Sequence, residues 1–418
     1  MKVLIPILIG LLVVGCGKKQ FTNTNEGNST PIKTAKKKSA TPLTPEEQKA
    51  LREKVIVENG KPRAEIIIAE KPARAAQFGA QELQTYLEKI SGARIKIVTE
   101  PTADAQVKIY VGESEHARDI GITAKGLKRD AFKMVSGENW LALVGNDLEF
   151  EPREPWARHH GQWAQEKQSE WDKITRKPWM NPIGRRLYRN YNKQLDLWNF
   201  DHRGSLNAVY AFLRKLGVRW YMPGELGEIL PTRTSIELPK IDRTVTPGWK
   251  IRSISRPMVS SNELEDALWY LRIGANKQYA ILHHGQRCLT EHPDQRKAHP
   301  EYYAMMANGK RDNVSKTANA CLSSEGFFRE MVAFARLMFD HYDIPMISVM
   351  PHDGFNHCQC DLCRDQATLE RGASGSSSDY VWGFVVRVAN ELAKTHPDRK
   401  VFCGAYSSYR LPPLKIDK

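Results

Sequence analysis

The chain has 418 residues, 41% hydrophobic and 26% charged, with a formal net charge of +14. That composition supports a large buried core in two or three domains and excludes global disorder and a collagen-like fibre. Only one apolar run approaches membrane length, at the extreme N-terminus, so a polytopic membrane protein is also excluded. The basic excess invites nucleic acid, but residues 17–54 alone hold nine basic side chains against four acids, the remainder is spread over a mixed-charge body, and no RNA- or DNA-binding motif is present.

Met1-Lys2 is a short basic start, and Val3 to Val14 is apolar but broken by Pro6 and Gly10. This is too short for a comfortable spanning helix, so residues 1–16 are expected to be a secretory signal peptide. Leu12-Val13-Val14-Gly15-Cys16 resembles the lipobox of bacterial lipoproteins. The resemblance implies lipid on Cys16 and an exported protein anchored to a face of the bacterial cell envelope. The other reading is an ordinary signal peptide with an incidental cysteine. Residues 17–54, rich in Lys, Thr, Asn, Ser and Pro, read as a flexible basic linker.

Residues 55–246 read as a small α/β layer domain. Glu65 to Ala69 is β-rich, and Leu83, Tyr86, Leu87 and Ile90 form the stripe of a helix that Ser91-Gly92 ends. Ile95 to Val98 and Val107 to Val111 are strands, and Phe132 to Val135 with Trp140 to Val144 is a hairpin. A second helix follows Arg203-Gly204. Between hairpin and helix, residues 147–202 form an insertion with Trp156, Trp163, Trp171, Trp179 and Trp198. Its indoles either stack on a ligand's apolar faces or pack the insertion onto the domain.

Residues 247–418 alternate strand and helix, which implies parallel strands with helical crossovers. Strands are expected at 251–255, 278–282, 320–322, 345–350 and 400–406. Helices are expected on the stripe Phe327, Met331, Phe334, Met338 and, after an Asp379 cap, on Val381, Phe384, Val385, Val388 and Leu392. About five strands are fewer than the eight of a closed barrel, so an incomplete TIM-barrel-like (β/α) domain is expected. In such a fold, functional side chains gather at the C-terminal ends of strands. Arg252 lies near the first strand, His283 and His284 follow the second, His352 and Asp353 the fourth, and Tyr406 the fifth. Gly354 suggests a tight turn that presents the Asp353 carboxylate.

His357-Cys358-Gln359-Cys360-Asp361-Leu362-Cys363 is the sharpest local motif. C-x-C-x-x-C matches metal-ligand spacing, with His352, His357 or a remote cysteine as fourth ligand of a structural zinc. It is equally open to a disulfide within the cluster or to Cys288, Cys321 or Cys403, or to free thiols. No phosphate loop, G-x-S-x-G elbow or H-E-x-x-H zinc helix occurs.

The run IIIAEKPARAAQFGAQELQTYLEKISGARIKIV resembles the accessory α/β domain before the catalytic barrel of α-glucuronidases and β-hexosaminidases. RGSLNAVYAFLRKLGVRWYMPGELGEILP resembles the bacterial domain of unknown function 4838 family, in which some members are endo-β-N-acetylglucosaminidases of glycoside hydrolase family 163. The resemblance implies a glycoside hydrolase acting on N-acetylhexosamine- or uronate-containing glycans, with no catalytic cofactor. The alternative is a non-catalytic glycan-binding lipoprotein.

Glycoside hydrolysis needs an acid for the leaving oxygen and a second carboxylate, or the substrate's acetamido group, for the oxocarbenium-like state. Asp353 is the candidate acid. Glu325 is a weaker second, since Ser323, Ser324 and Glu325 also read as a helix cap, and a partner beyond Lys418 is the other option. His283, His284, His352, Arg252, Tyr302 and Tyr406 are the candidate sugar contacts. Against this stand a structural histidine pair, core roles for Tyr302 and Tyr303, and Asp353 as a turn cap.

Overall fold

The structure is a computed structural model that describes residues 54–151, 162–181, 190–249, 252–253, 263–277 and 284–415. The expected leader and Cys16, Trp156, His283, the strand run 278–282 and most of 251–255 lie outside the described residues. No helix among the described residues is long and apolar enough to cross a membrane.

The chain is a mixed α/β protein with parallel strands. In the first region β1 (Ala64–Ile67), α1 (Arg74–Ser91), β2 (Lys96–Val98) and β3 (Val107–Val111) fall where the apolar periodicity puts them. β4 (Phe132–Ser136) and β5 (Trp140–Gly145) form the expected hairpin. With the later β6 (Asp242–Val245) they make one sheet in the order β6-β4-β5-β3-β1-β2. The β5, β3, β1 and β2 pairings are parallel, and Ile66 sits level with both Ile97 and Ile109. Strands buried on both faces read as unbroken apolar runs, as Ile66, Ile67 and Leu141 to Val144 do.

Helix α1 ends at Gly92, which takes the left-handed φ of 75° and returns its N–H to the Glu88 carbonyl. The insertion contributes α2 (Gln162–Thr175). Helix α3 (Gly204–Leu216) then packs beside α1. Its first residue must be glycine, because a Cβ on Gly204 would lie 2.3 Å from the Asn146 nitrogen.

After α4 (Glu263–Arg272), the second region holds α5 (Glu325–Tyr342), β7 (Met346–Ser348), α6 (Ser378–Ala393) and β8 (Lys400–Phe402). β7 and β8 pair in parallel, so α6 is the crossover of a β-α-β unit. Both helices bury the stripes read from the sequence. Two details differ. Ala320 to Leu322 is no strand; Ala320 makes an isolated antiparallel bridge to Tyr303, and the backbone then turns as Cys321 joins the other cysteines. Asp379 lies inside the first turn of α6, where its carboxylate accepts the Leu414 and Lys415 N–H groups, and Ser377 takes the cap position.

Trp171 and Trp179 do not pack on the first region. Both are buried, at 0% and 2% exposure, in the core of the second. Trp171 stacks on Tyr342 of α5 with centroids 5.5 Å apart, and the Trp179 indole donates to Glu330 at 2.9 Å. Trp198 is buried separately against Phe150 and Tyr191. Trp171 and Trp179 are thus core residues rather than ligand-stacking ones, whereas Trp198, though mostly buried, lines a cavity of about 440 Å³ together with Tyr191 and Arg203.

Candidate active site

Strand β7 is apolar and short, and the chain leaves it through Val349, Met350 and Pro351 to His352 and Asp353. Gly354 follows with φ of 65°, the left-handed turn expected of it. The segment from His284 is docked against the same strand. Gln286 donates its N–H to Met350 O at 3.3 Å and its side-chain amide to Val349 O at 2.9 Å. Gly285 makes this possible, since a Cβ there would come within 1.6 Å of Ser348 O. His284 is thereby held against the end of β7.

The His284 Nδ1 lies 2.5 Å from the Pro351 carbonyl, which only accepts, so Nδ1 carries a proton. Its Nε2 is 3.0 Å from Asp353 Oδ1. His284 and Asp353 are thus close neighbours at the strand end, with the Asp353 side chain 58% exposed and open to a ligand.

The His352 ring lies nearly parallel to that of His284, with centroids 5.8 Å apart. Its Nε2 is 3.1 Å from Glu291 Oε1, and Arg287 Nε donates to the same oxygen at 2.7 Å. Burial alone would raise the Glu291 carboxyl; the hydrogen bonds from His352 and Arg287 outweigh it and hold the pKa down at about 2. Glu291 is thus a standing negative charge one ring away from the His284–Asp353 pair. Nothing in the sequence marked it: it follows a single helical turn, Arg287–Thr290, that has no apolar stripe. The i,i+4 spacing of Arg287 and Glu291 was the one available signal.

A cavity of about 560 Å³ opens on the side of Glu291 and His352, lined by Met180, Arg287, Arg296 and Lys316 among others; His284, Asp353 and Tyr406 are not part of its wall. Arg296 spends its hydrogen bonds on the Thr290 and Ser315 carbonyls, and among the described residues neither Arg296 nor Lys316 faces a carboxylate partner. Met180, whose N–H bonds Cys288 O at 2.7 Å, brings the insertion to the cavity wall.

The other expected site residues divide. Tyr406 is 40% exposed and meets the His284 ring edge-on, with centroids 6.3 Å apart. Tyr302 is buried beneath His299, the rings stacked at 4.5 Å, and Tyr303 is fully buried with its hydroxyl on Thr290 O; both sit as core aromatics. Arg252 belongs to a different network. Its guanidinium binds Asp130 at 2.7 Å and the Gly274 and Trp249 carbonyls. Burial would raise the Asp130 carboxyl, but Arg203, Arg252 and Arg129 pull it below its usual range, and Asn276 also donates to it. Glu325 is an exposed first-turn residue paired with Arg387, beside a Ser324 cap.

In the cysteine motif, Cys358, Cys360 and Cys363 are joined by the remote Cys321, and the four Sγ atoms all lie within 4.8 Å of one another. His352 and His357 are engaged elsewhere, His357 by Ser377 and the Cys363 carbonyl. Cys288 and Cys403 stand outside the group, and burial pushes the Cys288 thiol up to about 12.

Residues 222–418 match the family model described as Domain of unknown function (DUF4838). No curated protein matches the chain by sequence. Among solved structures, similarity extends to a family GH115 4-O-methyl-α-glucuronidase, BtGH115A, with specificity for decorated arabinogalactans: 14% identity, TM-score 0.31, covering 87% of this chain and 38% of that one. The GH20 β-N-acetylhexosaminidase from Streptomyces coelicolor A3(2) gives 10% identity and a TM-score of 0.33 over 83% of this chain and 62% of its own. A β-N-acetylhexosaminidase from Bacteroides fragilis NCTC 9343 gives 12% and 0.27 over 81% and 62%. The chain spans less than two thirds of the length of each.

Proposed function

We propose that this protein is an exported glycoside hydrolase, tethered to the cell envelope through Cys16 and acting on N-acetylhexosamine- or uronate-containing glycans. The observation that carries the reading is the exposed Asp353 carboxyl 3.0 Å from His284 Nε2 at the strand end, near the ionised Glu291. Asp353, exposed at the strand end, gives its proton to the leaving glycosidic oxygen; water then captures the oxocarbenium-like centre, and the proton it releases returns to the Asp353 carboxylate, which the neighbouring His284 orients. Glu291 supplies the fixed negative charge that an oxocarbenium-like centre requires. Of the two sugars, the cavity favours uronate, because Arg296 and Lys316 are cations without carboxylate partners among the described residues.

The test compares wild type with Asp353→Asn on uronate-bearing and N-acetylglucosamine-bearing oligosaccharides, reading reducing-end release and melting temperature on the same preparations. The expected result is a loss of about two to four decades in rate with near-native stability. Full activity in the variant removes Asp353 from the mechanism. Glycan binding by wild type without any cleavage supports a binding lipoprotein instead. For the tether, Cys16→Ser is expected to shift the exported protein to the soluble fraction; unchanged membrane association overturns that part.

A further inference from the structure

The four-cysteine group has the dimensions of a metal site. Cys321 and Cys360 Sγ are 3.8 Å apart, Cys321 and Cys363 3.6 Å, and Cys360 and Cys363 3.4 Å. A disulfide would bring two sulfurs to about 2.05 Å. Four thiolates on a tetrahedral zinc, at about 2.3 Å each, stand about 3.8 Å from one another. All four side chains are buried, so the group is closed to solvent, as structural sites are.

Two hydrogen-bond donors are aimed at the sulfurs. Met305 donates its N–H to Cys358 Sγ at 3.2 Å. The Tyr380 hydroxyl accepts the Leu322 N–H, which leaves its own proton to point at Cys363 Sγ, 3.2 Å away. The Arg311 guanidinium donates to the Tyr303 carbonyl and lies in the field of Cys321, Cys358 and Cys360. Donors aimed at sulfur, with a half-buried cation nearby, are what a tetrathiolate centre of net negative charge needs from its outer shell.

We propose that Cys321, Cys358, Cys360 and Cys363 bind one structural zinc ion. The ion ties the loop that follows His352 and Asp353 to the start of α5, and so fixes the outer wall of the β7 strand end. Loading displaces the thiol protons to solvent, and no redox step is involved. The site is independent of the hydrolase reading, since it stands whether or not any glycan is cleaved.

The experiment uses the full chain, purified without a histidine tag and without chelator. Elemental analysis is expected to give one zinc per chain. A chelator should remove it, lower the melting temperature and expose four more thiols to a thiol reagent. Cobalt(II) put in its place should show the intense visible bands of a tetrahedral tetrathiolate. Cys321→Ser should lose the metal, while Cys288→Ser, a buried cysteine outside the group, should keep it. If Cys321→Ser does not fold, the wild-type metal content and cobalt spectrum decide. Absence of metal with all four thiols free, or a disulfide between any two of the four by mass spectrometry, overturns the proposal.

Discussion

His284 and His352 present nearly parallel rings at the end of one strand, and they differ in the partner each faces. His284 lies 3.0 Å from the exposed Asp353 carboxyl, whereas His352 donates toward a carboxylate held ionised by Arg287. Glu291 has a folded pKa of about 2, below its usual 4.5, so its contribution to stability is full above about 4.5 and is lost as pH falls through about 2. Glu291→Gln is therefore expected to melt lower than wild type near neutral pH, with the gap closing as acid protonates the native carboxyl; melting temperature against pH checks it, and a constant gap would contradict the pairing. Cleavage should also fall in the variant, because the standing charge is gone. At this scale the sequence was partly legible. A polar pair ending an apolar strand is visible without coordinates, and that pattern nominates His352 and Asp353, which the structure places beyond β7. It does not nominate Glu291, because its value arises from a partner 61 residues away.

The long helices were legible and the short strands less so. Helices α5 and α6 carry stripes of four and five apolar residues at a 3.6 period, a signal that survives any register error. Strands β7 and β8 are three residues each, and Ala320 to Leu322 shows the same local composition without pairing as a strand. What no pattern indicated is that Gly285 lies on β7. Gly285→Ala places its Cβ 1.6 Å from Ser348 O, so the segment must lift off the strand and carry His284 away from Asp353. We expect a destabilisation on the order of 1–3 kcal/mol and a disproportionate loss of cleavage, read from denaturant unfolding and rate assays on one preparation. A variant with normal stability and normal rate would show that the contact does not position His284.

Across the whole molecule, the insertion is the surprise. Its tryptophans were expected either at a ligand or on the region that bears them, yet Trp171 and Trp179 complete the core built by α5. Hydrophobicity announces that an indole will be buried, but not against which partner, because the choice rests on long-range fit. Trp171→Ala would leave an indole-sized void against Tyr342 and remove the bond from Trp171 to the Trp179 carbonyl. A cost of about 3–5 kcal/mol is expected by denaturant unfolding. A cost near zero would mean that the insertion is an appendage rather than part of the second core.

That placement also has a consequence in time. A ribosome makes Trp171 and Trp179 long before Tyr342, so on the nascent chain both indoles exist without the socket that covers them. During synthesis, two large apolar faces wait in water while more than 140 further residues are added. Partly made or partly unfolded chains with such faces bare are the species that aggregate or recruit chaperones. The insertion thus links the fate of the early chain to the arrival of the late one, and a break between them exposes both halves.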